Sequence, residues 1–183
     1  MNESRGFKTG SLKFIIGWAV CFIFRLQPFR PPNVEPIMAT TMPFAKRYGW
    51  IYAFVFGFLS IVLFDIATAK VGVWTWVTGF TYGALGIAAS LFFKNRDSRP
   101  KNYLGFAIVG TLVYDAITGV IAGPLFFGQS FTEAFMGQIP FTINHLLGNI
   151  VFALVVSPLL YRWVLDNEVF ETDVIWRKVF KTV

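Results

Sequence analysis

The sequence contains one cysteine, Cys21, and one histidine, His145, in 183 residues. A lone cysteine excludes an intramolecular disulfide and a cysteine-based metal cluster, and a lone histidine excludes a metal site built on a histidine pair. No metal and no cofactor are therefore expected. The chain has no glycine-rich loop ending in Lys-Ser or Lys-Thr to cradle phosphates, so it does not hydrolyse ATP itself. It also has no nucleophile elbow, no zinc-protease motif and no compact acidic motif for Mg²⁺, and no catalytic residue can be named. The expectation is of a protein that is not an enzyme. Charge is scarce too, at 14% of residues against roughly one quarter in a soluble domain. The basic residues lie in short clusters between apolar stretches, which excludes a nucleic-acid-binding stripe. They form no regular series inside those stretches, and no filter-like loop is present, which argues against an ion channel.

What fills the chain is hydrophobic: 55% of residues, with 22 phenylalanines and aromatics at 19%, and a mean hydropathy of +0.59. A spanning helix needs about 20 predominantly apolar residues. Residues 49–69, 73–93, 103–123 and 134–161 meet that requirement. Two shorter stretches, 12–26 and about 34–45, are also apolar, and the second carries Pro36 and Pro43, which suits a short, tilted or half-inserted helix. The expected fold is all-α, a polytopic membrane protein built as a bundle of about six transmembrane helices with a short second span. The N-terminal apolar run is followed by Arg25 and Pro28 without a small-residue cleavage site, so it reads as a retained first helix.

Six segments put both termini on one side. That side receives 13 of the 16 lysines and arginines, among them Lys46, Arg47, Lys94, Arg96 and Arg99, whereas Arg25, Arg30 and Lys70 fall opposite. The positive-inside rule then makes the termini cytoplasmic and the location the cell membrane. The organisation expected is a cytoplasmic segment 1–11, a substrate-binding transmembrane domain 12–163 and a cytoplasmic tail 164–183.

An internal repeat places the polar residues. Phe64-Asp65-Ile66-Ala67-Thr68 recurs as Tyr114-Asp115-Ala116-Ile117-Thr118, and Phe80-Thr81 before Leu85-Gly86 is echoed by Phe141-Thr142 before Leu147-Gly148. The third and fourth segments and the fifth and sixth thus read as two related hairpins in parallel orientation. A carboxylate at the bilayer centre costs about 2.5–3.5 kcal/mol on insertion scales, so Asp65 and Asp115 should face protein or water. Two readings stand for them, with Thr68 and Thr118 one turn on: structural support for the backbone, or ion coupling. Gln138, Asn144 and His145 break the repeat, and function is usually added where symmetry is lost. Gln138 and Asn144 point about 120° apart on a helix, with His145 between them. A helix-to-helix hydrogen bond is the plain reading of His145, and a binding wall the sharper one. Outside the spans, Arg30-Pro31-Pro32-Asn33-Val34-Glu35-Pro36 reads as a stiff external rim. Trp74 and Trp76 suit an interfacial belt or stacking on a flat ligand. Gly123-Pro124 and Gly128 mark an external loop able to move over a pocket.

This layout resembles the substrate-binding S component of energy-coupling factor (ECF) vitamin transporters. The resemblance rests on the six-span plan, the short second span after the proline-rich rim, and the glycine-rich late helices bearing Gln138, Asn144 and His145; it covers residues 12–163. It implies capture of a vitamin or related micronutrient at the outer face by Arg30, Asn33, Glu35, Trp74, Gln138, Asn144 and His145. It also implies docking onto a membrane coupling protein driven by two ATPase subunits. Small residues four apart on the first helix serve that docking in the family, and Gly17 and Cys21 are the nearest equivalents, although Cys21 also reads as a plain packing residue. A self-sufficient ion-coupled carrier using Asp65 and Asp115 is the alternative.

Overall fold

The computed structural model describes residues 3–29, 34–172 and 174. It is helical throughout, with no strand among the described residues. Helix α1 runs Glu3–Arg25, α2 Ile37–Tyr48, α3 Trp50–Ala67 and α4 Val73–Phe93. Helix α5, Pro100–Asp115, passes through a π-helical turn, Ala116–Ile121, into α6, Ala122–Phe127, and α7 spans Phe131–Leu160. Four helical stretches are long and apolar enough to cross a membrane: α3, α4, α5 through α6, and α7 with the π-helical turn Tyr161–Leu165 that follows it. At 12 residues, α2 rises only about 18 Å, well short of the roughly 30 Å hydrocarbon core.

Helix α3 packs along α4 and α5 along α7, and α2 lies wedged against both pairs. Every residue of α2 from Ile37 to Ala45 is buried. Pro43 lacks the N–H that would have bonded the Ala39 carbonyl one turn earlier. The Ser157 hydroxyl of α7 donates to that carbonyl instead, at 2.7 Å, so the proline's missing bond becomes a tie between helices. The α3–α4 contact depends on glycine. A Cβ on Gly57 would stand 2.6 Å from the Tyr82 carbonyl oxygen, and one on Gly86 would overlap the Ala53 carbonyl, the close backbone approach typical of membrane helices.

The bundle has two unlike ends. At one, Phe14, Phe44 and Phe56 form an aromatic cluster, with the last two rings stacked at 4.4 Å. Here Lys13 donates to the Leu165 carbonyl at 2.8 Å and Lys46 to that of Phe93 at 3.0 Å, occupying free carbonyls at helix C-termini. Glu171 lies 3.8 Å from Lys13 and 3.7 Å from Arg47. The middle of α1 and the turn that follows α7 therefore meet at this end. The other end gathers Arg25, Glu35, Asp65 and Thr75. The expected mobile loop at Gly123-Pro124 is instead helical, because the π-helical turn just before it widens the backbone where Pro124 cannot donate to Val120. This helical stretch ends at Gly128, whose φ of 67° is left-handed.

Candidate functional site

At the polar end a cavity of about 140 Å³ is lined by Arg25, Glu35, Ile61, Asp65, Trp74, Thr78, Tyr114, Phe141 and His145. Its walls come from α1, α3, α4, α5, α7 and the segment before α2. The Arg25 guanidinium ends α1. It sits 3.2 Å from the Glu35 carboxylate, donates to the Ser60 carbonyl at 3.1 Å and lies 3.9 Å over the Phe64 ring. Tyr82 donates to the other Glu35 oxygen at 3.1 Å, and its ring packs 4.4 Å from that of Tyr114.

The two aspartates of the repeat do equivalent work. Asp65 on α3 accepts from the Thr75 hydroxyl on α4 at 2.7 Å, and Asp115 on α5 meets His145 Nδ1 on α7 at 2.8 Å. Each thus ties the first helix of its hairpin to the second, through a side chain and not through backbone at a helix break. Thr68 and Thr118 bond the carbonyls four residues back, Phe64 and Tyr114, in parallel fashion. One turn deeper, Asn149 donates to Thr111 at 2.8 Å. Thr111 and Asp115 are four apart on α5, as are His145 and Asn149 on α7, which makes two polar rungs between these helices. Buried polar atoms normally find partners, yet His145 Nε2, Asp115 Oδ2 and Asn149 Oδ1 have none. Both His145 and Asp115 are only 2% exposed.

A second, wider cavity of about 440 Å³ lies between α4, the π-helical turn, α6 and the start of α7. Trp74 borders both cavities. Gln138 lines the wider one, where the absence of a side chain on Gly119 makes room for its amide.

The structure therefore brings Glu35, Asp65, Trp74 and His145 to one cavity. Gln138 is diverted to the neighbouring space. Asn144 is exposed on the outer side of α7, because the buried stripe runs His145, Asn149, Ala153, Ser157 in steps of four and leaves the preceding residue outside. Glu35 is largely buried at the cavity wall, where it pairs with Arg25. Arg30 and Asn33 lie outside the described residues. Gly17 and Cys21, expected on a docking face, are turned inward instead. A Cβ on Gly17 would come within 2.7 Å of the Phe44 ring, and the fully buried Cys21 sulfur lies 3.1 Å from the Thr40 hydroxyl. Arg25, Tyr82, Tyr114, Thr111 and Asn149 were missed by sequence reasoning. For the last two the signal was present, as polar residues spaced four from Asp115 and His145. No protein-family model, curated protein or solved structure matches this chain.

Proposed function

We propose that the chain is a membrane-embedded solute-binding subunit that captures a small polar molecule for uptake and is not an enzyme. Its likeness to ECF S components then extends to six membrane segments, with α1 and the short α2 completing the four long helices, and to cytoplasmic termini. The observation that carries this reading is the cavity at the polar end, whose wall includes His145, a buried ring with an unpartnered Nε2. A buried polar atom left unmatched costs about 1–3 kcal/mol, and a ligand that satisfies it recovers that cost. The cargo is a vitamin-like micronutrient, and energy comes from partners, a membrane coupling protein with two ATPase subunits. Docking through α1 would use its outward row Ile15, Ala19 and Ile23, spaced four apart and exposed, in place of Gly17 and Cys21.

Mass spectrometry of small molecules released from the detergent-purified protein tests this directly. One compound retained in near-stoichiometric amount is expected. His145→Ala should lower its retention at least about tenfold, the equivalent of one hydrogen bond's worth of binding, while Asn144→Ala should leave it intact. Equal retention by both variants would remove His145 from the site.

The buried acid and imidazole of Asp115 and His145, at 2.8 Å, favour a second reading, a carrier driven by ions alone. Uptake into liposomes containing only this protein, abolished by Asp115→Asn, would establish it over the first.

A further inference from the structure

Resting on the solute-binding reading, we infer that the ligand of the inner cavity is a flat organic cation rich in N–H donors, with a ring or amidinium-type head of about six heavy atoms.

The charge balance around the cavity is uneven. Three carboxylates, Glu35, Asp65 and Asp115, stand within its wall or one bond behind it, against the single guanidinium of Arg25. That guanidinium is committed: Glu35, the Ser60 carbonyl and the Phe64 ring surround it. An anionic ligand would find no free cation among the described residues of the wall. Asp65 is 8% exposed and is met by the Thr75 hydroxyl, not by a cation. An intramembrane carboxylate so placed is stabilised most by an opposite charge brought to it.

The tautomer of His145 points the same way. With Nδ1 beside the Asp115 carboxylate, the proton of a neutral ring sits on Nδ1, and Nε2 is left as a bare acceptor. A doubly protonated ring would reduce the negative excess without cancelling it. Acceptors thus dominate the polar part of the wall. Its remainder is Ile61 and the rings of Trp74, Tyr114 and Phe141, and aromatic ring faces attract cations. The volume of about 140 Å³ sets the size, since a cavity of about 150 Å³ takes one benzene. The wider cavity across Trp74 leaves room for a substituent on that head.

The test uses the full chain in lipid nanodiscs and three probes of one shape: benzamidine, which is cationic, benzamide, which is neutral, and benzoate, which is anionic. Calorimetric titration is expected to show saturable binding in the order benzamidine, benzamide, benzoate, with at least about tenfold between the first two. Asp65→Asn should reduce that preference about tenfold, whereas Asp65→Glu, which keeps the charge, and Asn144→Ala should retain it. Benzoate or benzamide binding as tightly as benzamidine overturns the inference. If none of the three binds, the charge of the compound that co-purifies decides. A cation supports the inference, while an anion or neutral molecule overturns it and leaves the solute-binding reading standing. No probe binding together with no co-purified compound overturns both.

Discussion

Residue by residue, the polar end is organised by partners across helices, and the consequence is sharpest where a partner is removed. The Thr111 hydroxyl accepts from Asn149 at 2.8 Å, and Asn149 Oδ1 already lacks a partner. Thr111→Val would leave the whole Asn149 amide unmatched in the bundle interior. A loss of about 1–3 kcal/mol is expected, measured by unfolding in mixed detergent micelles. Adding Asn149→Leu should recover part of it, because removing both partners costs less than stranding one. A double variant no more stable than Thr111→Val would show that the rung contributes nothing. The sequence alone flagged His145 and the two aspartates, since lone polar residues stand out in apolar runs. It could not separate Asn144, which is exposed, from His145, which is buried, although neighbours in sequence differ by 100° on a helix. Only knowing which face of α7 meets α5 decides between them, and that is a tertiary fact.

Among the elements, the hairpin α3–α4 was legible almost to the residue: 73–93 was expected and Val73–Phe93 is observed. Length and hydropathy suffice for a helix whose backbone satisfies itself in lipid. The continuation of α5 through a π-helical turn into α6 was not legible, because glycine and proline at 123 and 124 signal a loop in water. Within a membrane segment a widened turn can accommodate them while keeping the helix. What sets the α3–α4 distance is the contact of Gly57 and Gly86 with opposing carbonyls. Gly86→Ala must push the helices apart or strain them, and a loss of about 1–3 kcal/mol is expected. Gly105 in α5 is an internal control, with nothing within 4 Å of its Cβ position. Gly105→Ala should be neutral or stabilise by up to about 1 kcal/mol, through helix propensity alone. Thermal denaturation in detergent compares the two, and equal midpoints would mean that the close approach is not a source of stability.

For the whole molecule, one end is aromatic and capped by lysines, the other polar and hollow, and the charge pattern of the sequence coincides with that division. Lys13, Lys46 and Arg47 all reach carbonyls at the aromatic end, and Lys94 follows directly on α4 there. Lys70 lies at the far end, in the turn between α3 and α4. The positive-inside rule acts on such short connections, so the hollow end should face outward, where a solute-binding subunit meets its cargo. Cysteine labelling in intact cells tests this with little background, because the one native thiol, Cys21, is fully buried. With Cys21→Ser as the parent, Lys70→Cys should react with a membrane-impermeant maleimide added outside. Lys94→Cys should react only after the cells are permeabilised. The reverse pattern would turn the molecule over and place the cavity on the cytoplasmic side, against uptake from outside. Labelling of both positions in intact cells would mean that α4, which separates them, does not cross the membrane.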